Sequence, residues 1–262
     1  MARTRAGIAL TKRHQTEQLA IRAEVLRAII KLMPIWAPED PDSYDRFVQA
    51  VVTLVQGRAR DSAAIAARYY STFKDIDLGL TMGRATQLAA APTVQEIIAA
   101  INATAKAGYY RALRAGKTPG QATANALTEL AGAAGRLVLN GGRQTIWDNV
   151  GRDPYVHGWI RVSSTGAPCA FCAMLLSRGP VYLEFETAGG ISREMVGTEA
   201  AQAFQWHDHC ACFAEPYVKG GPWPEQNRRY RDIWSQTKHD NTTHPLNAFR
   251  RALAEQGLGT DE

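Results

Sequence analysis

The four cysteines of this 262-residue chain stand in two short clusters, which are the clearest sign of chemistry in the sequence. Cys169 and Cys172 form a C-x2-C pair, and Cys210 and Cys212 form a C-x-C pair further along the chain. Two histidines lie beside the second pair. Thiolate and imidazole are the ligands that Zn²⁺ prefers, and structural zinc sites hold four of them in a tetrahedron. The pattern predicts one structural zinc site that closes the loop between the clusters.

The sequence offers more candidate ligands than a tetrahedral site needs. Two cysteines in a C-x2-C spacing can bind one ion from a single turn. In the second cluster neighbouring residues point in opposite directions, so His209 and Cys210 are not expected to bind together. The predicted set therefore combines three cysteines with a fourth ligand that spacing does not decide: Cys169, Cys172 and Cys210, with Cys212 or His207. Four such ligands leave no open position for water, which favours a structural role.

The cysteines have two other interpretations, as buried free thiols or as disulfide bonds. The apolar part of the N-terminus is too short for a signal peptide. No apolar run reaches the roughly 18 residues that span a bilayer, so no membrane partner is expected. In the reducing cytosol predicted for this chain, clustered cysteines favour a metal over disulfides. No H-E-x-x-H motif or carboxylate ligand pattern accompanies them, which argues against catalytic zinc.

The chain is basic, with a net charge of +5, which is compatible with nucleic-acid contact but does not require it. Residues 1–13 carry four basic side chains and no acidic one, which predicts a flexible or solvated basic arm. A second basic stretch covers residues 225–251. The candidate nucleic-acid contacts lie in these two stretches: Arg3, Arg5, Arg228, Arg229 and Arg231.

Helical patterns dominate the first 150 residues. Over residues 11–33, apolar side chains recur at spacings of three and four, which predicts a helix with one buried face. That face is centred on Leu19, Ala23, Leu26, Ile30 and Met33, and it is widened by Val25, Ile29 and Leu32. A second helical stretch begins near residue 41 and reaches about residue 70. No glycine-rich phosphate loop occurs in this part of the sequence.

Two further helices begin at capping signals. Thr93 and Thr118 are each followed three residues later by Glu or Gln, the spacing of a capping box. The first of these helices is predicted to end near Gly116, which suits a C-terminal cap. The second is predicted to end at Gly141 and Gly142, with a separate short helix over residues 143–149.

After residue 150 the pattern changes. Residues 159–162 predict a short strand, residues 174–176 predict a helical turn, and residues 179–183 predict a turn followed by a strand. Residues 184–203 fit no single pattern. The predicted fold is mainly α, with three parts: a helical domain over 1–150, a small α+β zinc-stabilised module over 151–220, and a basic, partly helical tail over 221–262.

The second half of the chain resembles the Mu F-like minor head proteins of tailed bacteriophages, also called head morphogenesis proteins. It is most similar to the branch in phages of actinobacteria that is often labelled capsid maturation protease. Two motifs carry most of the resemblance: Pro168-Cys169-Ala170-Phe171-Cys172-Ala173-Met174-Leu175 and His207-Asp208-His209-Cys210-Ala211-Cys212. Shorter stretches add to it: residues 142–143, 153–154, 158–162, 177–182 and, in the helical part, 63–70.

The resemblance implies a minor capsid protein present in few copies. Such a protein is attached to the portal protein or the major capsid protein on the inner capsid wall and acts in head assembly. It is made in the host cytoplasm and resides in the virion, where its basic ends would lie beside packaged DNA. Zinc is then the expected structural cofactor, and no catalytic residue is expected.

The protease label gives a second hypothesis, a capsid maturation peptidase that cleaves capsid or scaffold protein. A serine peptidase would draw on Ser163, Ser164 or Ser177 with a nearby histidine, but no G-x-S-x-G elbow is present. A cysteine peptidase would use Cys169 or Cys172, and that use conflicts with zinc binding, because a coordinated thiolate is a poor nucleophile.

A nuclease is the third hypothesis. Asp208-His209, Asn227 and His239 follow the His-Asn-His order of some metal-dependent nucleases, although their spacing is loose and two cysteines adjoin the first histidine. In the alternative interpretation, Asn227 and His239 are solvent-exposed residues of a basic helix.

Overall fold

A computed structural model describes residues 2, 4–80, 85–165, 167–180, 206–218, 220–237 and 244–258. Most of these residues are helical, as the sequence predicts, and two strands form one small sheet. The α-helices in the described part are α1 (Arg5–Leu32), α2 (Pro41–Phe73), α3 (Val94–Ile101), α4 (Ala107–Arg114), α5 (Pro119–Val150), α6 (Ala170–Ser177), α7 (Glu225–Thr237) and α8 (Pro245–Glu255). None of them is long and apolar enough to cross a membrane.

Helices α1, α2 and α5 form the body of the molecule, with α3 and α4 packed against them. Their apolar residues recur at helical spacing and meet in one cluster, the body core. Its main members are Ile21, Val25 and Ile29 of α1, Phe47, Val51 and Val55 of α2, and Ala126, Leu130 and Val138 of α5. Burial of this aliphatic surface is the main force that holds the long helices together.

The predicted face of α1 is rotated relative to the observed one. Val25 and Ile29 are fully buried, whereas Leu26 and Ile30, which were placed on the core side, are 43% and 49% exposed. The helix also begins at Arg5 rather than near residue 11, because the side chain of Thr4 accepts a hydrogen bond from Gly7 N and caps it. Thr4 N in turn donates to Asp77 Oδ1 at 2.8 Å. The flexible-arm alternative is therefore wrong for the described part of this segment, whereas the side chains of Arg5, Lys12 and Arg13 are exposed to solvent, as the other alternative predicts.

The predicted capping boxes are confirmed. Thr93 with Glu96 begins α3, and Thr118 with Gln121 begins α5. Gly116 has a φ of +79°, and Lys117 N donates to Ala112 O at 3.1 Å, so the predicted glycine cap is present after α4.

Helix α5 does not end at its glycine pair, contrary to the prediction. It runs unbroken to Val150. A Cβ atom at Gly141 would overlap the backbone carbonyl of Ala59 in α2, and Gly142 N donates to Ser62 Oγ at 3.0 Å. The glycines are therefore required for close contact between two helices. In the sequence, a glycine pair with this role cannot be distinguished from one that ends a helix.

Strands β1 (Gly158–Ser163) and β2 (Cys212–Tyr217) pair antiparallel, with Ser163 opposite Cys212 and Arg161 opposite Ala214. The strand predicted over residues 159–162 is confirmed. One face of the sheet carries Ile160, Val162 and Phe213, which cluster with Leu139 of α5 and Leu19 of α1. The other face carries Trp159, Cys212 and Ala214, which join a second core, the module core.

The module core joins the far ends of α2 and α5 to α6, α7 and α8. Its largest side chains include Tyr70, Phe73, Trp206, Tyr230 and Phe249. The strand predicted at residues 181–183 and the ambiguous residues 184–203 lie outside the described residues. The predicted division into three domains remains a prediction.

Candidate metal centre

The two cysteine clusters meet between the start of α6 and the start of β2. Cys169 is the N-cap of α6, and its Sγ accepts a hydrogen bond from Cys172 N at 3.4 Å. A thiolate is favoured at this position because the first amides of a helix point toward it. The local fold thus places both sulfur atoms of the first pair on one side of a single turn.

The second cluster is a tight turn followed by the strand. Cys210 N donates to His207 O at 3.2 Å, and His209 takes a left-handed conformation with a φ of +64°. Cys212 N then donates to Cys210 Sγ at 3.4 Å. Both turns therefore direct backbone amides at a cysteine sulfur, as in sites that hold thiolates.

The five predicted ligands fall into two groups that share one cysteine. In each group the ligand atoms lie within 4.8 Å of one another, and Cys172 belongs to both: Cys169, Cys172 and His207 form one group, and Cys172, Cys210 and Cys212 form the other. The predicted competitor His209 is in neither group. The structure thus brings all five candidates together. Because Cys212 and His207 both lie near Cys172, it does not choose between them as the fourth ligand.

The separations between ligand atoms are close to, and slightly shorter than, those around a bound tetrahedral ion. His207 Nε2 lies 3.1 Å from Cys169 Sγ and 3.0 Å from Cys172 Sγ, and the sulfur atoms of Cys172 and Cys210 are 3.5 Å apart. Zn–S and Zn–N bonds of about 2.3 and 2.0 Å place ligand atoms ~3.3–3.8 Å apart around one ion. All four cysteines are free, so the geometry agrees with a metal site and not with the disulfide alternative.

Hydrogen bonds among the thiols shift their pKa values. A hydrogen bond from Cys172 is the main cause that lowers the pKa of Cys169 to about 4, and His207 adds to it. Hydrogen bonds from Cys172 and Cys212 likewise lower the pKa of Cys210 far below its usual range, helped by two nearby arginines. The hydrogen bond with Cys169 raises the pKa of His207 to about 9. Cys169 and Cys210 therefore favour the thiolate form that binds metal, whereas the hydrogen bond with Cys169 raises the pKa of Cys172, which acts as the donor.

Helix α5 holds the second cluster in place through one stripe of residues. Arg136 Nε lies 2.6 Å from Asp208 Oδ1. The imidazole of His209 packs onto Gly132, where a Cβ atom would collide with the ring. Further along, Arg143 donates to the carbonyl oxygens of Cys210 and Cys212 at 3.1 and 2.8 Å.

Arg143 and Arg161 are neighbours of the site whose part in it the sequence reasoning missed. Both are only 4% exposed. Their guanidinium carbons lie 4.0 and 3.7 Å from the centre of the Trp206 ring, so both cations contact one indole. A signal was present: Arg161 is a charged residue within the apolar strand pattern of residues 159–162, and such a residue needs a reason to be buried.

A cavity of about 220 Å³ lies over the cluster and includes Arg22, Ser163 and Thr165 in its wall. Cys169 and His207 are half-buried, whereas Cys172, Cys210 and Cys212 are buried. One side of the ligand cluster is thus reachable from solvent, which gives an ion a path of entry.

The serines considered for a peptidase make local hydrogen bonds. Ser163 Oγ lies 3.1 Å from Thr165 Oγ1, Ser164 Oγ donates to Ala211 O at 3.0 Å, and Ser177 Oγ donates to Met174 O at 2.7 Å. Within the described residues, none of these hydroxyls is hydrogen-bonded to a histidine.

Asn227 is fully buried, so its interpretation as a solvent-exposed residue is wrong. Its Nδ2 donates to the carbonyl oxygens of Arg161 and Leu176, both at 2.8 Å, and joins α7 to β1 and α6. His239, the last residue of the proposed nuclease triplet, lies outside the described residues.

Three of the predicted nucleic-acid contacts line one surface groove on α7, shared with Glu225 and Asp232. They are Arg228, Arg229 and Arg231, and all three are exposed. Arg231 also lies over the ring of Trp223, with its guanidinium carbon 4.7 Å from the ring centre. Arg5 is exposed at the start of α1 and is not part of this groove, and Arg3 lies outside the described residues.

Comparison with known proteins places these features in a phage family. Two curated relatives are the Gene 15 protein of Mycobacterium phage D29, 29% identical over 164 residues, and the Gene 15 protein of Mycobacterium phage L5, 30% identical over 174 residues. The alignments include 49% and 50% of this chain, and the chain spans 59% of the length of each relative. No solved structure matches. The profile of the VG15 protein family matches residues 8–237, so the chain belongs to that family.

Proposed function

We propose that this VG15-family chain is a minor capsid protein that acts in phage head assembly and carries one structural zinc ion. The observation that supports the zinc site is the convergence of five Cys and His ligand atoms around Cys172. The head-assembly role rests on the likeness of the two cysteine motifs to Mu F-like head morphogenesis proteins. The origin of the curated relatives in two mycobacteriophages is consistent with that role.

The zinc ion would cross-link two segments that are far apart in the sequence. Cys169 and Cys172 would bind it from the first turn of α6, and Cys210 would bind it from the turn before β2, with Cys212 or His207 as fourth ligand. A closed set of protein ligands stabilises the fold and leaves no site for activated water. Ligand binding of this kind contributes directly to the free energy of folding.

Metal analysis tests the zinc site. The purified full-length chain is expected to contain about one zinc per molecule by mass spectrometry of the metal. A chelator should remove the ion and change the near-ultraviolet circular dichroism, because Trp159 and Trp206 belong to the module core. Purified chain without bound metal that also fails to take up added Zn²⁺ would overturn this part of the proposal.

Virion analysis tests the head-assembly role separately. The chain is expected in purified virions at low copy number and in complexes isolated with the portal ring. A phage that lacks the gene should make defective heads, and the wild-type chain supplied in trans should restore them. Normal heads without the gene, together with absence of the chain from virions, would contradict the role even if zinc is bound.

A second candidate function, a capsid maturation peptidase, is favoured by one contact. Cys169 Sγ lies 3.1 Å from His207 Nε2, which is the separation of a nucleophile and its general base. Co-expression with the phage capsid protein should then give a specific cleavage that Cys169→Ala abolishes and His209→Ala leaves unchanged. Because zinc would occupy the thiolate, added zinc should inhibit such cleavage, whereas the structural hypothesis predicts no cleavage under any condition.

A further inference from the structure

Arg161 is a buried cation with unsatisfied donors beside the cysteine cluster. It stands in the middle of β1, opposite Ala214, and is 4% exposed. Among the residues that the structure describes, its Nε and Nη1 atoms have no hydrogen-bond partner. Burying a guanidinium in this way is strongly unfavourable unless a negative charge lies nearby.

The second arginine at this place does not supply that charge. Arg143 is equally buried, and its guanidinium is already hydrogen-bonded to Asn140 Oδ1 and to the carbonyl oxygens of Cys210 and Cys212. Both guanidinium groups contact Trp206, so two positive charges stand beside one ring. Burial is the largest cause that lowers the pKa of Arg143 to about 10, and the Arg161 charge contributes to that shift.

Carboxylates do not balance these charges within the described residues. Neither arginine forms an ion pair there with Asp or Glu. The nearby groups that can become anionic are thiols. Cys212 stands two residues before Ala214, the register partner of Arg161, and therefore lies on the same face of the sheet as Arg161. Arg161 thus shares the Trp206 ring with an arginine that is bonded to Cys210 and Cys212, beside a cluster that would be negative when it holds a metal.

We propose that Arg161 is a positioning residue that compensates the net negative charge of a thiolate-rich metal centre. The proposal rests on the zinc site proposed above. A divalent ion with four thiolates carries a net charge of −2, and one with three thiolates and an imidazole carries −1. Either set gives a buried anion for Arg161, whereas two thiolates with two neutral imidazoles would give none.

Charge compensation has opposite effects on the empty and the loaded protein. In the metal-free chain Arg161 is an unmatched buried cation, so Arg161→Met should raise the melting temperature. In the loaded chain the same substitution removes the counter-charge and should weaken zinc binding at least tenfold. Methionine keeps much of the length and the contact with Trp206, so packing changes little. Arg161→Lys keeps the charge and should bind zinc within about threefold of wild type.

The experiment uses the full-length chain, stripped of metal and then titrated with Zn²⁺ in competition with a chromophoric chelator. Arg178→Met is the control, because Arg178 directly follows α6 and is exposed, so its charge is screened by solvent. It should change zinc affinity by less than about twofold. Cobalt(II) gives a second readout: the thiolate-to-cobalt absorption band should move to lower energy in Arg161→Met, since a nearby cation stabilises the sulfur electrons.

The outcomes separate this inference from the zinc site itself. A wild-type chain that binds neither Zn²⁺ nor Co²⁺ would overturn both. Metal binding by wild type with equal affinity and an unshifted cobalt band in Arg161→Met would overturn the role of Arg161 alone. A substitution that lowers the melting temperature of empty and loaded chains equally, with affinity unchanged, would show a purely structural arginine. If Arg161→Met does not fold, Arg161→Gln tests the same affinity and cobalt band.

Discussion

The body core and the module core differ in the kinds of side chain that they bury. In the body core, Val25, Phe47 and Val51 are fully buried aliphatic and aromatic residues at helical spacing. The module core is bordered by two buried arginines, four thiols and a short sheet. The first core is built from apolar side chains, whereas the second also has buried charged and ionisable groups at its border. From this comparison we expect the helical body to fold without a ligand and the module to depend on the proposed metal.

The largest expected effect is the loss of the cysteine that both ligand groups share. Cys172→Ser should remove zinc and lower the free energy of unfolding of the zinc-loaded chain by on the order of 5 kcal/mol. Helical circular dichroism should persist to a higher temperature than the tryptophan signal of the module. His209→Ala is the control, because His209 belongs to neither ligand group. Simultaneous loss of both signals would break the comparison between the two cores.

The free energy of unfolding should depend on pH through Glu215. This carboxyl on β2 is buried, accepts a hydrogen bond from Gln15 and has a pKa raised to about 7 by burial. The unfolded carboxyl ionises near pH 4.5. Between these values the folded chain holds one proton more than the unfolded chain, so its contribution to stability falls as pH rises through this window. Above pH 7 the contribution is constant.

Glu215→Gln should therefore stabilise the protein at pH 8 by about 3 kcal/mol and have little effect near pH 4. Denaturant unfolding of both proteins across this range isolates the carboxyl, because all other groups are the same. Glu17→Gln is the control, since Glu17 forms a surface ion pair with Arg13. A stability difference that does not change with pH would show that Glu215 stays ionised in the fold.

Close contact between helices in the body should be sensitive to a single methyl group. Gly141→Ala places a Cβ atom against the Ala59 carbonyl and should cost about 2 kcal/mol of stability. Gly57→Ala, in α2, meets open space and should stabilise by up to about 1 kcal/mol. Thermal melting of both variants would sharpen the comparison, because neither should alter zinc content.

The smallest expected effect concerns the surface. If α7 contacts DNA, Arg228→Ala with Arg229→Ala should weaken binding to a short duplex about tenfold and lower the salt dependence of the affinity. Arg60→Ala with Arg114→Ala removes two exposed arginines from the helical body and should change binding by less than about twofold. Equal loss in both double variants, measured by fluorescence anisotropy, would show that only net charge matters.

Sequence alone predicts the local features of this fold well. The capping boxes at Thr93 and Thr118 and the strand around Ile160 each depend on a few neighbouring residues, and the structure has all three. The two cysteine clusters are also recognisable in the sequence, because they contain all four cysteines of the chain. These features are set by short-range chemistry, which a single sequence displays directly.

Features that depend on distant partners could not be predicted in the same way. The glycine pair of α5 predicts a helix end, because the sequence does not show that Ala59 and Ser62 of α2 pack against it. Likewise, Asn227 looks like a surface residue until α7 is placed on β1. Arg161 belongs to the same class, because only the folded sheet brings it to the indole of Trp206.

The stripe on α5 has a consequence for how the family can vary. Gly132, Arg136 and Arg143 meet the second cluster because they share one side of a helix with 3.6 residues per turn. One inserted residue between them would turn the two ends of the stripe by about 100° relative to each other. We therefore expect family alignments to have no gaps in this stretch. A one-residue insertion after Arg136 should disrupt the contacts between α5 and the second cysteine cluster.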